Sequence, residues 1–205
     1  GFIMLRSSDS NQGSSGDVFV HSGTSSSTQS GVLDLRTGDT HGRSSGDVFI
    51  RSGEAALQAG NIVLQAGAAH KEGGAIVVSS GSSSSVTAGK TGLLRFTSHS
   101  GPQSGQVVLS SGNATRGSSG QIQVASGSAA SARSGQVSIT TGAGLMVGDI
   151  DISTGLAVSE ENGASGMAHI STGMSPMSRS GDVKIDSGFG KSSGDVAIAT
   201  GSSTL

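Results

Sequence analysis

The chain contains no cysteine, no tryptophan and no tyrosine, and only two prolines, Pro102 and Pro176. Without cysteine there is neither a disulfide framework nor a thiolate metal centre, and the redox compartment goes unmarked. Charge is also scarce. Asp, Glu, Lys and Arg make up 13% of the residues and the formal net charge is -2, so there is no basic field to hold nucleic acid. No apolar run approaches the roughly 18 residues that a bilayer-spanning helix needs, which argues against membrane insertion. No secretory leader is visible, and the chain opens at Gly1 rather than at a methionine, as a processed product or a piece of a longer protein would.

What is abundant is glycine, with 35 residues in 205, together with serine. That composition alone describes a flexible linker. The apolar residues argue otherwise. They make up 33% of the chain and fall at fixed offsets from the glycines rather than at random. The stretch Ser15-Gly16-Asp17-Val18-Phe19-Val20-His21-Ser22-Gly23 shows the frame. Taking the first glycine as position zero, the frame recurs at Gly1, Gly16, Gly31, Gly46, Gly60, Gly74, Gly92, Gly105, Gly120, Gly135, Gly148, Gly166, Gly181 and Gly194, which makes fourteen units. Position seven is glycine except at Ser8 and His99. Positions two and four are apolar in every unit, from Ile3/Leu5 and Val18/Val20 to Val183/Ile185 and Val196/Ile198. Position six is almost always small, as in Ser7, Ser22, Thr37, Ser52 and Ala66.

Alternation with period two over seven residues predicts a half-buried strand, and the valine and isoleucine of positions two and four suit a pleated surface. The bracketing glycines are expected to turn the backbone at positive φ, and a hydroxyl at position six to bond the turn backbone. Variable polar stretches such as residues 24–30 read as surface turns. One unit cannot bury its own apolar face, whereas stacked units can. The expectation is therefore an all-β chain, residues 1–205 forming a single parallel β-solenoid domain.

Two coils fit. Unit lengths run from 13 to 18 residues, so each coil holds either one strand in about 15 residues or two in about 30. Position three favours the second. Alternate units carry Phe19, Phe49, Val77, Val108, Ser138, His169 and Ala197 there, with no Asp, Glu, Lys or Arg. The intervening units carry Met4, Asp34, Val63, Arg95, Gln123, Asp151 and Lys184, four of them charged. A single stack would wedge Asp34 between two phenylalanines, which is poor cross-strand pairing. Two facing sheets in flattened coils of about 30 residues avoid this. Neither end carries a polar cap, which reads as a segment of a longer array or a subunit stacked end to end.

No motif carries chemistry. Residues 84–91 approach a phosphate-binding loop, but Ser84 replaces its first glycine and a strand, not a helix, is expected to follow. The five histidines share no metal-ligand spacing. Asp17, Asp47, Asp149, Asp182 and Asp195 lack the Gly-Gly-x-Gly-x-Asp frame of a calcium roll. Neither a catalytic residue nor a cofactor or metal is expected. Two surface features remain. Phe19, Phe49, Val77 and Val108 form a candidate apolar assembly stripe. Asn113-Ala114-Thr115 is an N-glycosylation sequon in a turn, and the serine- and threonine-rich turns suit O-linked glycans.

The repeated Ser-Gly-Asp-Val-x-Val/Ile-x-Ser/Thr-Gly unit resembles the glycine/serine-rich β-solenoid repeats of large surface and extracellular proteins of protists and microbes. The resemblance spans nearly the whole chain through repeat grammar alone, and implies a structural or adhesive role with no active residues. The functional expectation is thus a non-enzymatic structural protein of an extracellular or cell-surface filament, appendage or coat, whose partners are copies of itself or other structural subunits. The alternative is a binding module for ice or polysaccharide. Ice binding sits poorly with outward columns that mix Arg36, Arg51, Asp34, Phe19 and Lys184. A third reading, a carbohydrate-active β-helix enzyme, suffers from the missing tryptophan and tyrosine for sugar stacking and from the lack of an acid cluster in a long loop.

Overall fold

The computed structural model describes residues 1–85, 89–158 and 163–202. Its contacts divide the chain into two units, Gly1–Val107 and Val108–Leu205, with the boundary inside the eighth repeat. Each is built the same way. Seven-residue segments alternate with turns whose bends fall near their middles, at residues 26–28, 41–43 and 56–57 in the first unit and 115–117, 130–132 and 145–146 in the second.

The period-two alternation survives as local geometry. Side chains two residues apart meet on one side of their segment: the Arg36 guanidinium lies 3.2 Å from the Asp34 carboxylate, and Lys184 donates to Asp186 at 2.7 Å. The Arg51 guanidinium sits 5.0 Å above the Phe49 ring. All three pairs join positions three and five. Such i, i+2 contacts belong to an extended backbone, where alternate side chains share a face.

The β-solenoid does not follow from it. Among the described residues there is no strand and no helix, and no backbone ladder joins one segment to the next. The backbone bonds between separate segments are Gly74 N–H to the Gly67 carbonyl and Gly92 N–H to the Gly81 carbonyl, both 2.9 Å, each closing one turn. No described side chain is buried. Val18, Val48 and Ile76, expected inside a shared dry interior, are 49%, 57% and 56% exposed. Neither coil, of one strand or of two facing sheets, is formed. The physical reason is that a seven-residue alternation specifies extension and a preferred face, but says nothing of which segment donates to which. A strand requires a partner at hydrogen-bonding distance, and these turns do not supply one.

What the turns supply is a single close approach. A Cβ built on the position-zero glycine would lie 3.3–3.7 Å from the position-six side chain of the preceding unit in eleven of thirteen turns, from Gly16 against Ser7 to Gly181 against Thr172. Gly148 and Gly194 are the exceptions. Position-seven glycines face open space throughout. Glycine at zero and a small residue at six are thus two halves of one contact. Ser7, Ser22, Thr37 and Ala66, all position six, are accordingly among the few residues that are partly covered.

Two finer expectations also change. The bracketing glycines do not turn at positive φ. Gly117, inside a turn, is the described residue with φ +86°. The hydroxyls that bond turn backbone lie two residues beyond the closing glycine rather than at position six: Thr28 N–H donates to Ser25 Oγ at 3.1 Å and Gly42 N–H to Thr40 Oγ1 at 3.2 Å. These are local side-chain turns of the kind serine and threonine favour.

Gly74 gives the sharpest test of the closure. A Cβ there would lie 3.3 Å from Ala66 Cβ and 3.4 Å from Gly67 N, whereas one on Gly67 would meet nothing within 4 Å. Gly74→Val is expected to open the turn and speed hydrogen exchange of its own amide about five-fold over the native rate corrected for residue type, the equivalent of losing ~1 kcal/mol of hydrogen bond. Gly67→Ala is expected to leave the Gly74 amide unchanged in the same experiment.

Candidate assembly surface

Every segment leaves its apolar residues in contact with water, though not equally. Apart from Ile3 and Ala168, position two runs from 46% exposed at Leu94 to 63% at Val107, while position four reaches 90% at Ile198. The alternation therefore sets a graded coverage, with position two the more sheltered column. The molecule as a whole exposes 21615 Å², against ~8,700 Å² for a folded monomer of this length and ~29,000 Å² for its fully extended chain.

Phe19, Phe49, Val77 and Val108 are each more exposed than Val18, Val48 or Ile76. The first three lie in the first unit and Val108 opens the second. Exposure alone does not set them apart, because Leu35, Leu64, Leu109 and Ile139 at position four are equally open. What distinguishes Phe49 is its cation–π partner, since Arg51 shields one ring face. Leu57, Leu145, Met146, Met177 and Phe189, which lie in turns and which the repeat grammar passes over, are more exposed still. Their signal was present in the sequence as large apolar residues outside the seven-residue frame.

Charged side chains pair locally and at the surface. Besides the two position-three pairs, Arg6 donates to Asp9 at 3.2 Å and Arg179 to Asp182 at 2.7 Å. All members are more than half exposed, so each pair contributes little. Asp182, at position one of its segment, is thereby held by an arginine of the preceding turn.

Asn113 is exposed in the turn that contains Gly117, so its side-chain amide is accessible. A shallow depression of about 290 Å³ is lined by Ala68, Ala69 and His70, three consecutive residues of the turn that Gly74 closes onto Gly67. One imidazole and two methyl groups offer no second polar group to orient a ligand. No three histidine, aspartate or glutamate side chains gather to hold a metal among the described residues. In residues 84–91, the phosphate-loop resemblance falls partly on residues 86–88, outside the described residues. No helix of the described residues is long and apolar enough to cross a membrane.

Comparison of the chain with protein-family models, with curated proteins and with solved structures returns no match.

If the position-three stripe takes part in association, Phe49→Asp weakens it without changing the local geometry of neighbouring turns. Arg51→Ala, which removes the cation and leaves the ring, has the smaller effect. Sedimentation of both variants beside the native chain measures this. Equal sedimentation of Phe49→Asp and native protein would remove Phe49 from the association surface.

Proposed function

We propose that this chain is a non-enzymatic structural protein that works by associating with copies of itself in an extracellular or cell-surface filament, appendage or coat. The observation that carries the reading is the uncovered apolar frame. Twelve of fourteen units present a large position-two side chain about half open to water, at the same offset from the same glycine. Exposed apolar surface on this scale is a mark of an association surface.

Magnitudes decide how such association would proceed. Covering the exposed half of one position-two side chain is worth about 1 kcal/mol. Bringing two chains together costs about 4–15 kcal/mol in lost freedom. One or two units cannot overcome that cost, whereas docking of most of a chain can. Extended backbone covered in the process must also find hydrogen-bond partners, because a desolvated unpaired amide costs about 1–3 kcal/mol. Association is then cooperative along the chain and starts sharply with concentration. The repeated frame supports the same reading, since positions two and four are apolar at the same offsets in every unit. An exposed Asn113 fits a glycan-bearing outer surface.

Purified chain is expected to form multimers above a threshold concentration, seen as elongated particles by negative-stain electron microscopy and as a concentration-dependent boundary in sedimentation velocity. A single monodisperse species at all concentrations would contradict the proposal.

A further inference from the structure

Two segments of the first unit share a further pattern. Residues 14–23 and 44–53 agree at eight of ten positions and differ only as Val20/Ile50 and His21/Arg51. Both set an acid at position one, a phenylalanine at position three and a basic side chain at position five: Asp17-Phe19-His21 and Asp47-Phe49-Arg51. None of the other twelve segments has this combination. Alternate residues of an extended backbone share a face, and the Arg51 guanidinium over the Phe49 ring shows that positions three and five do so here. The Phe49 ring is nonetheless 71% exposed, and Phe19 79%. Asp17, Asp47 and Arg51 have no ion-pair partner among the described residues. Asp47 and Arg51 of one chain cannot serve each other, because four extended residues separate them by ~13 Å. The backbone between them also lacks partners, since no ladder joins the described segments.

Acid, ring and base in this order are self-complementary when one copy runs antiparallel to another. With position three at the centre, position one of each copy lies opposite position five of the other. For residues 47–51 this sets Asp47 against Arg51 twice and Phe49 against Phe49, all of them favourable cross-strand pairs. Opposed antiparallel backbones also exchange the hydrogen bonds that each segment lacks alone. A parallel pair in register opposes Asp47 to Asp47 and Arg51 to Arg51, and like charges directly opposite repel. A parallel pair shifted by four residues keeps one charge pair and loses the ring pair. We infer that residues 47–51 are an orienting contact between copies of this chain, two copies meeting there antiparallel about Phe49. The occupant of this face is the same segment of a second copy, and residues 17–21 present the same face with histidine in place of arginine. Such a contact is isologous, each side giving the other the same groups. It lies within one segment, so it does not depend on how the segments of a chain are arranged. The inference rests on the self-association reading above and adds the segment and direction of the contact.

The test uses full-length chain, in which the absence of cysteine lets single thiols report the direction of pairing. Residues 45 and 53 stand at positions minus one and seven, on the same face as positions one, three and five. Antiparallel pairing about Phe49 sets residue 45 of one copy opposite residue 53 of the other and holds the two residues 45 ~27 Å apart. Under mild oxidation above the assembly threshold, a mixture of Ser45→Cys and Gly53→Cys chains is expected to form a disulfide dimer about ten-fold faster than either chain alone. The charges are tested by the assembly threshold, measured by sedimentation at low salt. Arg51→Asp is expected to raise it about five-fold, and Asp47→Arg/Arg51→Asp, which exchanges the two charges, to return it to the native value. If either single-thiol chain cross-links with itself as fast as the mixture does, or if the charge exchange brings no recovery, the antiparallel contact is overturned and self-association stands. If native chain stays monomeric, the self-association reading falls and the contact with it.

Discussion

The contact between a position-zero glycine and the small side chain six places into the preceding unit is the constraint on which the rest of the structure depends. It brings the end of one segment beside the start of the next in eleven turns, whatever the turn's length, so that a Cβ on the glycine would lie 3.3–3.7 Å from the position-six side chain. The turn closed by Gly74 spans a 14-residue unit and the one closed by Gly166 an 18-residue unit, yet both end on the same approach, to Ala66 and Thr154. A Cβ at zero would be tight at Gly74 and Gly92, 3.3 Å from Ala66 and Ser80, and in ordinary van der Waals contact with position six in the other nine turns. The variable loops can therefore change without moving the frame. Hydroxyls such as Ser25 and Thr40 then bond the loop backbone locally.

That closure fixes where segments begin and end, but it does not cover them. It involves one glycine and one or two small side chains, too little apolar area to offset the ordering of a whole unit. The valine, isoleucine and leucine of positions two and four stay in water, and so does the backbone between them. Among the described residues no side chain is buried, so the apolar surface of positions two and four remains uncovered. Exposed pairs such as Arg179–Asp182 contribute little by themselves.

The repeat frame was legible in the sequence because it is local. Glycines at zero and seven, apolar residues at two and four and a small residue at six all carry through to the structure as turn boundaries, graded coverage and the closing contact. The side-by-side placement of positions three and five was legible for the same reason, as Asp34 with Arg36 shows. The sheet was not. Alternation in Val18-Phe19-Val20 states which way side chains point, and strand pairing depends on segments far apart in the chain, about which a periodic sequence is degenerate. The positive-φ expectation failed at Gly16 and Gly23, where a Cβ would meet ordinary contact or open space. The residue with left-handed φ is Gly117, which the frame does not mark. Turn residues Leu57 and Phe189 went unnoticed because they lie outside the seven-residue window.

The absence of cysteine makes a direct measurement of the closing contact simple, since two introduced thiols would be the only ones in the chain. A Cβ on residue 120 would lie 3.7 Å from Ser111 Cβ, within the ~3.5–4.5 Å that a disulfide spans. Under mild oxidation at low concentration, Ser111→Cys/Gly120→Cys is expected to form an internal disulfide rapidly, read as a loss of free thiol in a monomeric band. Gly112→Cys/Gly120→Cys, with open space around position 112, is expected to do so much more slowly. Equal rates for the two pairs, or cross-links that form only between chains, would contradict the account of how the repeats are closed.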